Sequence, residues 1–143
     1  MRVLLDTYLL LWALSSPEKL SKRARQRIES SDVYASAASI WEISIKSALG
    51  QLEADPNEVL AGVEPAGFNH LSIVGDHAAK VAELPPIHKD PFDRLLVAQA
   101  RFEPMILLTD DEMLGGMEIL SRSFDRPQLG RVSHADRPVW RHR

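Results

Sequence analysis

The sequence predicts an α/β fold in which helices flank a parallel sheet. Short continuous apolar runs recur as VLL at 3–5, VYA at 33–35 and MILL at 105–108, and such runs are typical of strands buried on both faces. Stretches in which apolar residues recur at helical spacing separate these runs. Because strands and helices alternate, we expect the strands to run parallel and to be joined by helical crossovers.

The composition favours one compact domain without covalent staples. The chain has 143 residues, 45% of them hydrophobic, and a chain of this length can bury about two-thirds of its unfolded surface. It has no cysteine, which excludes disulfides, thiolate metal sites and cysteine nucleophiles. Asp6 interrupts the apolar N-terminal run, and no apolar stretch approaches the ~20 residues of a membrane span. We therefore expect a cytoplasmic protein with no membrane segment.

Charge divides the chain into two parts. Residues 121–143 contain six arginines and two aspartates, a local charge of about +4 in a chain whose net charge is −3. Prolines interrupt this stretch, and it shows no helical or strand pattern. We predict a folded domain at 1–120 and an arginine-rich C-terminal extension at 121–143, which is either a solvated tail or an electrostatic arm.

Capping residues indicate where the helices begin. Asp90 precedes Pro91, which places a side-chain acceptor at the N-cap and a residue of fixed φ at the first helical position. The same reasoning assigns N-caps to four other residues: Ser21, Ser39, Asp55 and Asp76. His77 is expected on the surface of the helix that Asp76 begins.

Two weaker strand patterns complete the predicted sheet. Leu71, Ile73 and Val74 suggest a third strand, and the segment from Met117 to Leu120 suggests an edge strand that follows two glycines. Together with the three apolar runs, these patterns complete the predicted strands.

Several acidic residues lie at strand ends. Asp6 follows the first apolar run, and Asp110 and Asp111 follow MILLT. Open parallel sheets place their ligand sites in the crevice beyond the carboxyl ends of the strands, where these acids are expected. Either Asp110 or Asp111 could instead cap a short helix.

Two helical acids share a face with apolar residues. Asp93 has the spacing of Leu96, Val97 and Ala100, and Glu42 has the spacing of Ile45 and Leu49.

Both helical acids also have local structural explanations. Asp93 suits the first turn of a helix capped by Asp90, where the helix dipole favours negative charge. Glu42 could form a capping box with Ser39 and an i,i+4 ion pair with Lys46.

Taken together, these acids require a cation. Two like charges about 4 Å apart at an effective dielectric of ~20 cost about 4 kcal/mol. Hard divalent ions bound by oxygen offset such repulsion, and Mg²⁺ in particular combines one or two carboxylates with water and substrate phosphate oxygens. This arrangement favours metal-assisted hydrolysis of phosphodiester bonds.

Four segments carry a resemblance to a known family. MRVLLDTYLLLW, SIWEISIKSALGQL, LPPIHKDPFDRLLVAQA and LLTDDEML occur in the order and at the spacing of a PIN-domain ribonuclease of the VapC toxin type. The resemblance covers residues 1 to about 120. It departs from the family pattern at Tyr8, where a histidine often follows Asp-Thr, and in the length of the tail.

The resemblance implies a site built from four acids, each a catalytic residue and a metal ligand: Asp6, Glu42, Asp93 and Asp111. The family pattern Leu-Thr-x-Asp selects Asp111 over Asp110, because Thr109 fixes the register. Four further positions are implied to support the site: Thr7, Thr109, Asp90 and Arg94.

The resemblance also implies a fold and a function. The fold would be a PIN-like three-layer sandwich whose parallel sheet has about five strands. The function would be Mg²⁺- or Mn²⁺-dependent cleavage of RNA by a metal-activated water. Such toxins are homodimers held inactive by a small cognate antitoxin, and they reach operator DNA only through that antitoxin.

Two other functions are compatible with parts of the sequence. A catalytically silent module could keep the acidic cleft and act only through a DNA-binding partner. A phosphatase or phosphotransfer domain could use Asp6 as its nucleophile, since an aspartate at a strand end suits that chemistry. The second alternative leaves Glu42 and Asp93 unexplained.

Overall fold

The computed structural model describes residues 1–85, 90–111 and 116–119, with the backbone alone for 110, 111 and 116–119. Strands and helices alternate along most of the chain. The strands are β1 (Arg2–Leu5), β2 (Asp32–Ser36), β3 (Asn69–Leu71), β4 (Ile106–Asp111) and β5 (Gly116–Ile119). The helices are α1 (Thr7–Ser15), α2 (Lys22–Glu29), α3 (Ala37–Ala48), α4 (Pro56–Gly62), α5 (Gly75–Lys80) and α6 (Pro91–Phe102).

The five strands form one sheet in the order β3-β2-β1-β4-β5. The first four strands run parallel, which confirms the predicted α/β class. The edge strand β5 pairs antiparallel with β4, so the sheet is not parallel throughout as the resemblance implied. A short connection explains the difference, because a parallel pair needs a crossover of a dozen or more residues and only 112–115 separate β4 from β5.

The central strand β1 is buried on both faces. Val3 and Leu5 belong to one apolar cluster, which also contains side chains of α1 and α4. Leu4 belongs to a second cluster on the opposite face, formed largely by α6. This alternation explains why the N-terminal run is continuously apolar, and it leaves the carboxyl end of β1 as the place where the first polar residue, Asp6, emerges.

Of four predicted N-caps, the structure confirms two. Ser21 and Asp55 accept hydrogen bonds from the backbone of α2 and α4 and are N-caps, as predicted. The N-cap of α3 is Ser36 and not Ser39, because the Ser36 hydroxyl accepts from the Ala38 amide at 3.0 Å and the helix begins a turn earlier. Asp76 is not a cap either, since α5 begins at Gly75.

The third strand is shorter and earlier than the pattern suggested. Its last pair joins Ser36 to Leu71, and β2 ends there because Ser36 begins α3. Without a partner strand, the chain at Ile73 and Val74 cannot continue the ladder. The sequence pattern identified the strand, whereas the neighbouring element determined its end.

His77 is buried, with 1% of its surface exposed, so its predicted surface position is wrong. Its Nδ1 accepts a hydrogen bond from the Val74 amide at 3.2 Å and thereby satisfies the start of α5. The interpretation of 121–143 as an arm or tail lies outside the described residues. Among those that are described, no helix combines the length and the apolar character that a membrane crossing requires.

Candidate active site

Asp6 lies at the carboxyl end of β1 and caps α1. Its Oδ1 accepts a hydrogen bond from the Leu9 amide at 2.8 Å, and its Oδ2 accepts one from the Thr109 hydroxyl at the end of the neighbouring strand β4. The Asp6 amide donates to the Leu108 carbonyl at 3.0 Å. The side chain is therefore held by two strands and a helix, with its charge at the positive end of the α1 dipole.

Glu42 lies on α3 and turns its carboxylate toward the start of α1. Only 2% of its surface is exposed. Its Oε1 accepts from the Thr7 hydroxyl at 2.7 Å. The hydroxyls of Thr7 and Ser39 lie 3.1 Å apart, and since the Thr7 proton is committed to Glu42, Ser39 is the donor in that contact. Ser39 therefore supports the carboxylate through Thr7 and does not form the predicted capping box.

The predicted ion pair of Glu42 with Lys46 is present. Lys46 Nζ lies 2.5 Å from Glu42 Oε2 and 5.5 Å from the centre of the Tyr8 ring. The hydrogen bond to Glu42 raises the pKa of Lys46 above its usual value, against the opposing effect of burial. A buried carboxylate is costly without a partner, so the ammonium group compensates Glu42 in the metal-free protein.

Asp93 lies in the first turn of α6. Asp90 is the N-cap of this helix, as predicted, and its Oδ1 accepts from the amides of Phe92 and Asp93 at 2.8 and 3.3 Å. The apolar residues that share the spacing of Asp93 are buried, whereas Asp93 itself is at the exposed rim. Its inward orientation is therefore only partial.

The pKa of the Asp93 carboxyl is raised from 3.8 to about 7. Partial desolvation at the rim is the largest cause, followed by repulsion from Asp90, Glu42 and Asp6, while Lys46 opposes the shift. Asp6 at the end of β1, Glu42 on α3 and Asp90 before α6 thus all place negative charge near Asp93. Strongly shifted acids in a polar cleft are typical of functional sites.

This shift predicts a pH dependence of folding stability. Between about pH 4 and pH 7 the folded, metal-free protein keeps a proton on Asp93 that the unfolded chain has lost, so the free energy of unfolding should fall as the pH rises through this window. Urea unfolding at pH 5 and pH 7.5 should show a smaller decrease for Asp93→Asn than for the wild type. Asp76→Asn, which changes an exposed acid in the first turn of α5, is the matched control. Equal decreases in all three proteins would contradict the assignment.

The remaining predicted positions have different surroundings. Asp110 and Asp111 are the last residues of β4, beside the carboxyl end of β1, and their side chains lie outside the described atoms. Arg94 donates to the carbonyls of Pro85 at 2.8 Å and Val81 at 3.1 Å. Arg94 therefore links the backbone at Val81 and Pro85 to α6.

Comparison with known protein families identifies the family of this chain. The sequence matches the PIN domain family over residues 3–118. The chain belongs to the PIN domain family. The match spans all five described strands except the first residue of β1 and the last residue of β5.

Solved structures with a similar fold are toxin–antitoxin complexes. VapBC2 from Rickettsia felis, bound to a DNA fragment from its promoter, has a TM-score of 0.57 at 12% identity over 80% of this chain and 92% of the other. A toxin–antitoxin complex from Klebsiella pneumoniae has a TM-score of 0.51 at 20% identity over 76% and 86%. FitAB bound to an IR36 DNA fragment has a TM-score of 0.53 at 20% identity over 78% and 86%. No curated protein matches the chain.

Whether this PIN domain can hold a cation depends on its donor set. Within 1–85 and 90–109, no three carboxylate or imidazole groups converge closely enough to ligate one ion as they stand. Lys46 forms an ion pair with Glu42 and so neutralises part of the negative charge of the site. The donors near β1 are nevertheless carboxylates that repel one another, the chemistry that a hard divalent ion fits. Asp6, Glu42 and Asp93 are the residues that would hold it, with Asp111 at the adjoining strand end.

Sequence reasoning missed a buried polar network behind the site. Gln99 on α6 is fully buried; its Oε1 accepts from the Ser36 hydroxyl at 2.5 Å and its Nε2 donates to the Ser72 carbonyl at 3.3 Å. The same Nε2 lies 3.3 Å from His77 Nδ1. Because both the Val74 amide and Gln99 direct donors at Nδ1, the imidazole proton is on Nε2, which donates to Glu103 at 2.6 Å.

This network connects the helices that carry two of the acids. Ser36 begins α3, which bears Glu42, and Gln99 belongs to α6, which bears Asp93. The signal in the sequence was a glutamine on the apolar face of LLVAQA, where a polar side chain needs a buried partner.

Proposed function

We propose that this PIN domain is a Mg²⁺- or Mn²⁺-dependent endoribonuclease and the toxin of a VapC-type toxin–antitoxin pair. The observation that carries the proposal is the position of Asp6 at the end of β1, with Glu42 on α3 and Asp93 on α6 near enough for the charges of Asp6 and Glu42 to act on Asp93. Membership of the PIN family and the similarity to toxin–antitoxin complexes support it. PIN domains are generally nucleases that use divalent ions.

In the proposed mechanism the protein supplies a fixed negative cradle. Asp6 is held by Thr109 and Leu9, and Glu42 is oriented by Thr7, which limits the movement of both carboxylates. Glu42 would exchange Lys46 for the cation, and the acids would move closer together around it. With its pKa raised to about 7, Asp93 is partly protonated near neutral pH in the metal-free protein, and positive charge in the cleft would favour release of the proton. When bound, the divalent ion supplies Lewis-acid stabilisation of the phosphate charge and activation of water.

The proposed partners follow from the same comparison. We propose a homodimer in the cytoplasm that is inhibited by a small antitoxin and reaches operator DNA only through it. Two of the similar complexes were solved with DNA, which fits such an assembly. In the proposal, Asp111 completes the set of acids and the extension at 121–143 is a separate arginine-rich segment.

Metal dependence and expression together test this function. Purified protein should cleave RNA with Mg²⁺, lose the activity in excess EDTA and regain it on addition of Mg²⁺ or Mn²⁺. Expression without an antitoxin should arrest growth, and Glu42→Gln should abolish the arrest, because it removes a charged donor while keeping an acceptor for Thr7. Cleavage that persists in EDTA would contradict metal dependence.

The same expression experiment separates the alternatives. A silent binding module would give no RNA cleavage, and Glu42→Gln would behave like the wild type. A phosphotransfer domain would yield a trappable phosphoenzyme at Asp6. The structure disfavours that reaction, since both Asp6 oxygens accept hydrogen bonds that lower their nucleophilicity.

A further inference from the structure

A groove lies beside the acidic cleft, between α3, α4 and the end of β3. Its volume is about 720 Å³, within the roughly 300–1,000 Å³ of small-ligand sites. Apolar side chains form much of its wall, and four neutral polar residues open into it: Ser44, Asn57, His70 and Ser72. No acid is among the described residues that line it. The described wall of the groove therefore differs from the acidic cleft in carrying no carboxylate of its own.

Trp41 lines this groove on the side of α3. The residue precedes Glu42 on α3, and 55% of its surface is exposed. Its ring meets Phe92 edge-on, with centroids 4.9 Å apart and an interplanar angle of 78°. Phe92 precedes Asp93, so the aromatic pair joins the two helices that carry the acids. An exposed indole in this position is both anchored and next to the candidate chemistry.

We propose that the groove is a subsite for one unpaired nucleobase of the RNA substrate, with Trp41 as the stacking surface. This inference rests on the proposed ribonuclease function and deepens it, because it makes single-stranded RNA the substrate class. Proteins that bind single-stranded nucleic acid stack bases on aromatic rings and contact the base edges with polar groups. Asn57, Ser44 and Ser72 offer such groups. His70, whose Nε2 lies 4.0 Å from Glu64 Oε1, offers another.

The lining of the groove suits a nucleobase. It mixes one exposed indole with several hydrogen-bonding groups, which match the face and the edge of a base. Ile45 and Leu49 continue the exposed apolar side of α3 beyond the groove. Those two residues are exposed and lie outside the groove. Leu49, two turns beyond Trp41, therefore provides a matched control for the loss of exposed apolar surface.

The test compares RNA with the same backbone lacking its bases. In the Asp6→Asn background, fluorescence anisotropy with Mg²⁺ would measure binding of random-sequence single-stranded RNA octamers and of abasic ribose-phosphate octamers. Trp41→Leu should weaken binding of the RNA octamers by about 5- to 150-fold, as expected for one stacked base, and leave abasic binding unchanged. Trp41→Phe should recover part of the affinity, and Leu49→Ser should change neither.

Three outcomes would overturn the subsite. Trp41→Leu could weaken both octamers equally, weaken neither, or change the molecular mass in light scattering with RNA affinity unchanged, which would assign the indole to a protein interface. Cleavage by the wild-type protein is measured separately. RNA cleavage combined with base-independent binding would refute the subsite alone, whereas base-dependent binding without cleavage would refute the proposed nuclease and keep the subsite.

Discussion

Asp6→Asn is expected to reduce RNA cleavage by more than about 100-fold without unfolding the protein. Loss of an outer-shell partner of a metal site costs about 10- to 100-fold, and loss of a charged donor should cost more. Asparagine is as good an N-cap as aspartate, so the hydrogen bond from the Leu9 amide should survive. The substitution therefore removes charge with little structural change. Cleavage rates and the circular dichroism spectrum, measured side by side, check both parts.

The matched control is Asp55→Asn, which makes the same substitution at the N-cap of α4. It should leave cleavage unchanged, because Asp55 does not contribute to the electrostatics of Asp93. The metal-free Asp6→Asn protein should also unfold at a higher temperature than the wild type, since one of several repelling charges is gone. A variant that cleaves RNA at the wild-type rate would remove Asp6 from the mechanism.

Gln99→Met should lower the free energy of unfolding by about 2–5 kcal/mol. Methionine fills a similar volume, but the buried Ser36 hydroxyl would lose its acceptor. The Ser72 carbonyl and His77 Nδ1 would each lose one hydrogen bond. Each buried polar group left unpaired costs about 1–3 kcal/mol. Urea denaturation gives the measurement.

Gln26→Met provides the control, because Gln26 is exposed on α2 and its replacement should change stability by less than about 0.5 kcal/mol. If the two variants were equally stable, the buried network would contribute nothing. Ser36 and Gln99 also hold α3 against α6, the helices that carry Glu42 and Asp93. Gln99→Met should therefore raise the Mg²⁺ concentration that RNA cleavage requires.

The fold followed from patterns that are local in the chain. Continuous apolar runs identified β1, β2 and β4, and Asp90 with Pro91 identified the start of α6. The placement of Asp6 at a strand end followed as well, because a buried strand must end where the first polar residue emerges. The i,i+4 pairing of Glu42 with Lys46 also depends only on helix geometry.

What the sequence could not reveal depends on contacts between distant residues. Ser36 and Ser39 both precede apolar stretches, and only the register of β2 against β3 determines that Ser36 is the cap. The residues around His77 in the sequence are typical of an exposed helix, yet its imidazole is buried and contacts Gln99 and Glu103. The direction of β5 was set by the length of one connection. The coupling among the acids likewise required the tertiary structure.

The hydrogen bonds that Asp6 shares with β4 also determine when the site can form during synthesis. Asp6 leaves the ribosome about a hundred residues before Leu108 and Thr109, which hold its amide and its carboxylate. Before β4 has left the ribosome, the nascent chain already contains Asp6, Glu42 and Asp93, but these residues cannot yet take up their final arrangement. The order of the strands thus delays assembly of the acidic centre until nearly the whole domain has been made. A protein whose proposed activity would damage the RNA around it completes its site last.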